Sequence, residues 1–489
     1  MWKLDVHPPF LICFFLLTTR RSQADELSEL FGERMPKRLT AARYLWSLRH
    51  EPHKTERCVA LTTPAGYIAH KLTAPGDGDS RPPASMVLGV GEASGMFPIA
   101  DDNDDADDGY RTDWIAAFDG HVRAKFPNRS VPSLGDLLPI VRRAGDTRPG
   151  HGGDGASVVL NRSVVLGAGG WLSEVRGLFL GNENNDDTGD REVLVAPAEG
   201  DQPTALAASL IGRHGMISCS FGTSVVANMV GKSTGGTKSK ARASLAAVDR
   251  FNAVNGQPIS MVWLRNGTTY LNRIIDSYGG DFEALLQRAL AAPPDCGGLL
   301  ALPFLDDEPG RNVARGGTGT ILGFGSSSGN HDAGNIVKAA MVSVMFNLYL
   351  GTQQVEAAEG DGGDGGDSPT TTNREIVLTG GLTKTPGTGQ VLADIFDRPV
   401  RLLEAADEGG AWGAALLAKY SHDCRHRSSD GVLPPPPDDW LDFLASIEAT
   451  EQQSFSPHPE AVKIYRSVLA KYKRLLELQP ALDRVVNGP

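Results

Sequence analysis

Short runs of apolar residues alternate with helical repeats of apolar residues along most of this 489-residue chain. Leu39, Ala42, Leu45 and Trp46 share one helical face, which predicts a helix within residues 36–50. Strands are predicted at residues 192–196, 214–221, 225–230, 375–379 and 399–403, and further helices at residues 203–211, 336–350, 390–396 and 411–420. Strands that alternate with helices are typical of an α/β fold.

Polar stretches rich in glycine and aspartate interrupt this pattern and are predicted to be solvated loops. They cover residues 101–108, 145–155, 181–190, 326–334 and 359–373. The proline run at residues 434–437 must break regular structure. Apolar residues at helical spacing follow it and predict an amphipathic helix packed on the body of the protein. They are Val462, Tyr465, Leu469, Tyr472 and Leu476.

The charge and the cysteines narrow the class of protein. A formal net charge of -12 argues against a nucleic-acid partner, because phosphate backbones bind basic surfaces. It does not exclude ATP, which a small local site can hold. The five cysteines show neither CxxC nor zinc-ligand spacing, so a disulfide framework is not expected and a reducing compartment fits best.

Three glycine turns are candidate ligand sites. Gly222-Thr223-Ser224 joins two predicted strands, Gly380-Gly381 lies between a strand and a helix, and Gly267-Thr268 is a third turn of the same kind. Glycine lets a backbone approach a phosphate, and amide and hydroxyl groups supply hydrogen-bond donors. Taken singly, each turn is equally consistent with an ordinary structural turn.

Asp201 is the candidate for acid–base chemistry. It ends a short apolar run and precedes a helix predicted to begin at Pro203. A carboxylate there can take the proton of an attacking hydroxyl, which is worth about 10²- to 10⁴-fold in rate. Aspartate is also a favoured helix cap. The local sequence leaves both interpretations open.

Two motif matches carry less weight. Residues 325–329 satisfy the GxSxG pattern of hydrolases, but they lie in a glycine–serine tract, and His331 and Asp332 are neighbours only in sequence. A serine hydrolase built on Ser327 is therefore a remote alternative. Residues 231–233 end like a P-loop, yet Val226 stands where that motif needs its first glycine.

Taken in order, a set of short strings resembles the FGGY carbohydrate kinases, closest to their xylulose-kinase-like branch. The strings lie at residues 39–43, 91–95, 199–202, 221–224, 379–381, 393–396 and 412–418. The resemblance covers roughly residues 24 to 480. It implies two actin/hexokinase-like, ribonuclease H-like lobes around a central cleft, with an amino-terminal lobe at 24–212, a nucleotide-binding lobe at 213–425 and a helical extension at 426–489.

The resemblance also implies roles for these residues. Asp201 matches the catalytic base and is the expected Mg²⁺ ligand. The expected ATP-binding residues are Gly222, Thr223, Ser224, Gly267, Thr268, Gly380 and Gly381. The implied substrate is a ketose or polyol, with no nucleic acid and no membrane as partner, and a homodimer is compatible with the family.

One family motif is missing. Members begin with a strand and a DxGT turn that holds Mg²⁺ and the transferring phosphate, and no DxGT occurs near this amino terminus. Phosphoryl transfer depends on positioning and charge neutralisation, so its loss should cripple turnover. The two interpretations are a shortened version of a longer protein and a degenerate kinase. A pseudokinase that binds nucleotide or sugar without turnover is the rival function.

Residues 1–23 are predicted to be either a leader or a gene-model artefact. The apolar run at 10–17 is too short to span a membrane and could be the core of a signal peptide. The glycosylation sequon Asn266-Gly267-Thr268 coincides with a predicted nucleotide loop, where a glycan could not be tolerated. We therefore expect a cytoplasmic protein.

Overall fold

The computed structural model describes residues 11–12, 23–73, 86–100, 109–146, 194–231, 248–311, 313–325, 331–358, 375–385, 387–403, 409–427, 437–447 and 451–488. The predicted loops at 101–108, 181–190 and 359–373 lie outside these residues, as does Ser327.

Mixed helices and strands make up the described chain. The strands are β1 Leu11–Ile12, β2 Leu61–Thr62, β3 Val87–Gly89, β4 Ile140–Arg142, β5 Ile217–Phe221, β6 Val225–Val230, β7 Val248–Asn252, β8 Pro258–Leu264, β9 Leu300–Leu302, β10 Thr320–Leu322, β11 Ile376–Gly380, β12 Val400–Leu403 and β13 Glu451–Phe455. The α-helices are Gln23–Phe31, Thr40–His50, Pro52–Thr55, Pro64–Thr73, Val90–Ser94, Thr112–Lys125, Leu134–Leu137, Asp201–Ala208, Thr268–Ser277, Phe282–Ala291, Ala333–Ala358, Thr388–Phe396, Gly409–Arg427, Pro437–Ser446, Pro459–Glu477 and Gln479–Asn487.

A seven-stranded sheet organises the second half of the chain, with the strand order β13-β12-β11-β5-β6-β8-β7. Strands β5, β6, β8 and β7 pair antiparallel in turn, whereas β11 and β12 run parallel to β5. β13 closes the other edge antiparallel to β12. An antiparallel meander extended by parallel strands needs helical crossovers, and the helices Ala333–Ala358 and Thr388–Phe396 provide them.

The two faces of this sheet bury different side chains. One face carries Ile217, Cys219 and Phe221 into the largest hydrophobic core, where the helix Ala333–Ala358 packs. This helix has the length and hydropathy of a membrane span, but 83% of its most apolar window is buried, as in the core helix of a globular protein. The helices Asp201–Ala208 and Gly409–Arg427 lie over the opposite face.

The first half of the chain forms a separate, mainly helical core around short strands. β3 and β4 pair parallel, and Leu88 forms a parallel bridge with Ala198. Residues 192 and 193 of the strand predicted at 192–196 lie outside the described residues, and of residues 194–196 only Leu194 takes part in a β-bridge. Aromatic stacking of Phe31 on Trp114, with ring centroids 4.5 Å apart, helps fix the helices.

The carboxyl-terminal segment is more than a helical extension. The predicted amphipathic helix is present as Pro459–Glu477, and Tyr465, Leu469 and Tyr472 are buried in the main core, as expected. The prediction missed β13, which belongs to the seven-stranded sheet. The boundaries drawn at 212 and 425 remain predictions.

Candidate functional site

The glycine turns meet at one end of the seven-stranded sheet. β5 and β11 are parallel neighbours, and Gly380 is in register with Phe221. The residues that follow, Gly381 and Gly222, therefore leave the sheet side by side. β8 ends at Leu264 opposite Val225, the first residue of β6, which brings the Gly267 turn to the same end. The structure therefore brings the Gly222, Gly267 and Gly380 turns to the same end of the sheet.

The Gly222-Thr223-Ser224 turn is the exposed part of this cluster. Gly222 and Thr223 are both exposed, and the turn is closed by the Gly222 amide donating to the Ser224 carbonyl at 3.0 Å. A Cβ on Gly222 would meet only the Ser224 carbonyl oxygen at 3.5 Å, an ordinary contact. Packing within the described chain therefore does not require glycine at this position.

Gly267 and Thr268 hold the Gly222-Thr223-Ser224 turn through hydrogen bonds to its carbonyl groups. The Gly267 amide donates to the Thr223 carbonyl at 3.1 Å, and the Thr268 amide and hydroxyl donate to the Gly222 carbonyl at 2.9 and 2.8 Å. Gly267 is buried, and a Cβ on it would lie 2.5 Å from the Thr223 carbonyl oxygen. Sequence reasoning placed these two residues against the nucleotide, whereas their donors in this structure are used by the neighbouring turn.

Gly380 combines a left-handed backbone with close packing. Its φ is 80°, and a Cβ would lie 2.8 Å from the Ser220 hydroxyl and 3.0 Å from the Phe221 carbonyl oxygen. Only glycine fits both conditions without strain. Gly381 is exposed and begins the short 3₁₀ helix Gly381–Lys384.

Asp201 is exposed at the start of the helix Asp201–Ala208. The helix begins two residues before the predicted Pro203, which its first turn accommodates because those amides need no intrahelical partner. The N-cap is Gly200, and the Asp201 carboxylate accepts only from the Gln202 amide, at 2.9 Å. A capping side chain would reach the second or third helical residue from the N-cap position. The structure therefore does not support the interpretation of Asp201 as the cap.

Two glutamates hold the loop that presents Asp201. The Glu199 carboxylate accepts from the amides of Gly91 at 3.1 Å and Glu92 at 2.6 Å. The Glu92 carboxylate lies over Gly200, where a Cβ would come within 2.2 Å of it. Each segment therefore uses its glycines to make room for the glutamate of the other.

Burial shapes the charge of this pair. Burial raises the pKa of Glu199 to about 8, against the opposing effect of the two amides. Burial and the nearby Asp201 raise the pKa of Glu92, although a hydrogen bond from Thr63 opposes this. Perturbed carboxyl groups concentrate at functional sites. The sequence analysis includes residues 91–95 and 199–202 in the family resemblance but gives neither glutamate a role. Their contact joins segments 107 positions apart, which no local pattern reveals.

A cavity of about 270 Å³ lies between the helix Asp201–Ala208 and the sheet face opposite the main core. Gln202 lines it from the helix, Gly380 from the turn, and Ser220 and Asn228 from the strands. Gly409 and Gly410, which open the helix Gly409–Arg427, line it as well. The helix that begins with Asp201 and the Gly380 turn therefore border one space.

The hydrolase alternative gains no support from the described residues near its motif. His331 stacks on Phe324 at 5.4 Å between ring centroids. Asp332 pairs with Arg288 at 2.6 Å and accepts from the Gly334 amide at 2.7 Å, as a residue at a helix start does. Ser327 itself lies outside the described residues.

The described residues contain no group of three His, Cys, Asp or Glu side chains placed to hold a metal ion. Mg²⁺ usually keeps several waters and takes one or two carboxylates together with substrate phosphates. An exposed single carboxylate such as Asp201 fits that kind of site.

The fold and the clustered turns define the class of protein as a two-lobed α/β protein of the actin/hexokinase type. Xylulose kinase from Bifidobacterium adolescentis has this fold, with a TM-score of 0.61 and 19% identity over 91% of this chain and 75% of that one. Xylulose kinase from Rhodospirillum rubrum has a TM-score of 0.62 and 16% sequence identity, over 94% of this chain and 76% of that one. Plasmodium falciparum glycerol kinase, solved with ADP, has a TM-score of 0.60 and 14% sequence identity, over 93% of this chain and 74% of that one.

The sequence adds a family match within this class. Residues 217–422 match the carboxyl-terminal domain of the FGGY family of carbohydrate kinases. The comparison with curated proteins gave no match.

Proposed function

We propose that this protein transfers the γ-phosphate of ATP to a hydroxyl of a ketose or polyol. The observation that carries the proposal is the shared cavity: the helix that begins with Asp201 borders it on one side and the Gly380 turn on the other. Solved relatives of the same fold are xylulose, gluconate and glycerol kinases. These names support the class of substrate, and a xylulose-like sugar is our specific proposal.

In the proposed reaction, the Gly222-Thr223-Ser224 turn offers exposed backbone and hydroxyl donors to the nucleotide phosphates. Gly380 and Gly381 let the chain lie flat against the nucleoside. Asp201 accepts the proton of the sugar hydroxyl, which is a poor nucleophile until that proton has somewhere to go. The Glu92–Glu199 pair keeps the Asp201 loop in place.

Mg²⁺ bound by Asp201 and the phosphates would neutralise charge on the transferring group. The described chain holds Asp201 where its carboxylate is open to such an ion.

The setting of the protein is also proposed. The described cysteines Cys58, Cys219, Cys296 and Cys424 form no disulfide, which supports a reducing compartment such as the cytoplasm. Asn266 of the sequon is buried, and its side-chain amide donates to the Asp306 carbonyl at 3.1 Å and to Glu308 at 3.1 Å. A glycan on that nitrogen would be incompatible with this fold. A homodimer remains a prediction.

Replacing Asp201 by asparagine tests the mechanism. Asn keeps the shape of the side chain and removes its basicity, so kcat for ATP-dependent phosphorylation should fall about 10²-fold or more with folding unchanged. The measurement is phosphate transfer to a panel of ketoses and polyols, paired with a thermal melt.

Asp113→Asn is the matched control, since Asp113 is also an exposed aspartate in the first turn of a helix. It should leave kcat unchanged. A fully active Asp201→Asn protein would contradict the base assignment. Nucleotide and sugar binding without turnover in the wild type would favour the pseudokinase.

A further inference from the structure

Glu308 is a buried carboxylate to which the sequence analysis assigns no chemical role. Only 1% of its surface is exposed. Its main chain is fixed from outside the site by a two-way bridge with Val313, with hydrogen bonds of 2.8 and 3.1 Å. Val313 itself belongs to the main hydrophobic core. The side chain of Glu308 therefore projects from a fixed point.

That side chain reaches back across the chain to Asn266. Oε2 of Glu308 accepts from the Asn266 amide at 3.0 Å and from the Asn266 side-chain Nδ2 at 3.1 Å. The Asn266 Oδ1 in turn accepts from the Asp306 amide at 2.8 Å. Asn266 is 4% exposed, so these bonds lie away from water, where a lost partner is costly.

Asn266 is directly followed by the two residues that support the phosphate turn. The Gly267 amide holds the Thr223 carbonyl, and Thr268 holds the Gly222 carbonyl through its amide and its hydroxyl. Two sets of hydrogen bonds, joined by the peptide chain from Asn266 to Thr268, thus connect the fixed Glu308 to the exposed turn at Gly222. The turn has little support of its own, because its one internal bond joins Gly222 to Ser224.

We propose that Glu308 is a positioning residue for nucleotide binding, acting through Asn266 to set the shape of the Gly222-Thr223-Ser224 turn. The inference rests on the proposed function, in which this turn holds the phosphates of ATP. Glu308 needs no contact with ligand. Its acceptor oxygen, rather than its charge, fixes the two donors of Asn266.

The test compares Glu308→Met with Glu308→Gln. Methionine keeps the length of the side chain and removes the acceptor. Glutamine keeps an acceptor oxygen for Asn266. Asp307→Asn is the matched control, because Asp307 directly precedes Glu308 and forms an exposed ion pair with Arg265, the residue before Asn266. If Glu308→Met does not fold, Asn266→Ala removes the side-chain donor to Glu308 Oε2 and keeps the backbone amide donor of residue 266. Exchange of the Gly267 and Thr268 amides should again be faster than in the wild type, and unchanged exchange would overturn the positioning role.

The first readout needs no nucleotide. Hydrogen exchange of the Gly267 and Thr268 amides in the protein alone should be about tenfold or more faster in Glu308→Met. Glu308→Gln and Asp307→Asn should exchange like the wild type. Unchanged exchange in Glu308→Met overturns the positioning role, whatever the protein's activity.

The second readout is binding of Mg·ATP by calorimetry, with the KM values for both substrates. Glu308→Met should raise the Kd and KM for ATP about tenfold or more and leave the KM for the sugar within about twofold. Glu308→Gln should restore ATP affinity to within about threefold. Equal loss in both variants, or equal loss of ATP and sugar affinity, overturns the inference. A wild type that binds no nucleotide would fail the proposed function, and the role of Glu308 in binding would fall with it, even if the exchange result stood.

Discussion

At the residue scale, the turn at the end of β11 is expected to require glycine at position 380. Gly380→Ala would force a Cβ into a backbone with φ of 80° and within 3.0 Å of both the Ser220 hydroxyl and the Phe221 carbonyl oxygen. We expect a loss of about 1–3 kcal/mol in the free energy of unfolding, because left-handed strain and crowding act together. ATP affinity should fall as well, since the turn must shift. Chemical denaturation and nucleotide titration measure the two effects.

Gly32→Ala separates strain from crowding. Gly32 has a φ of 68°, and no heavy atom lies within 4 Å of its Cβ position. It should lose about 1 kcal/mol of stability and keep its ATP affinity. Equal ATP affinities in the two variants would contradict a role for Gly380 in the nucleotide site.

Some site residues could be predicted from the sequence and others could not. Asp201 and the glycine turns were found because each lies at a strand–helix or strand–strand junction with a recognisable local pattern. Glu199 and Glu308 were not given roles, because their function depends on partners far along the chain. The sequon drew attention to Asn266 without showing that its side chain is already fully engaged.

At the scale of elements, the crossing of two helices depends on one glycine. A Cβ on Gly413 would lie 1.8 Å from the carbonyl oxygen and 2.6 Å from the carbonyl carbon of Thr204. Gly413→Ala should therefore push the helix Gly409–Arg427 away from Asp201–Ala208, at a cost of about 1–3 kcal/mol. Thermal or chemical denaturation measures this.

Gly120→Ala should raise the free energy of unfolding, whereas Gly413→Ala should lower it. Gly120 lies inside the helix Thr112–Lys125, and nothing lies within 4 Å of its Cβ position. Alanine is the better helix former, so we expect a gain of about 0.5–1 kcal/mol. If both variants were stabilised, the close helix crossing would be wrong.

The strands differ in how far their sequence predicts them. β5, β6, β11 and β12 are apolar runs ended by glycine or proline, and the predictions came within a few residues. β13 has the sequence Glu-Gln-Gln-Ser-Phe, with no local strand signal, and it forms because β12 offers an edge to pair with. The β7–β8 hairpin was missed because polar residues fill β7 and a proline opens β8.

At the scale of the whole molecule, acid should act first on the amino-terminal core. Glu26 joins three helices through Arg49, His121 and Lys125. Although burial raises the pKa of Glu26, these partners lower it to about 2. A folded-state pKa below the unfolded 4.5 stabilises the fold above pH 4.5, and this stabilisation is lost as the pH falls towards 2.

Glu26→Gln should remove this pH dependence. Its unfolding free energy should be about 1 kcal/mol lower than that of the wild type at pH 6, because solvent screens partly exposed ion pairs, and the difference should disappear towards pH 2. Denaturant titrations at several pH values measure this. Glu460→Gln, at an exposed ion pair with Lys463, should follow the wild-type curve. A constant gap across the pH range would contradict the assignment.

The position of β13 at the sheet edge has a consequence for synthesis of the protein. β12 can be made and paired with β11 while residues 451–455 have yet to be translated. During that interval a nascent chain presents an open strand edge, the kind of surface on which neighbouring chains add strands and aggregate. Ribosomes that stall before residue 451 would therefore release chains whose seven-stranded sheet is nearly complete yet prone to association. Chaperones that shield exposed strand edges should be most needed at that point.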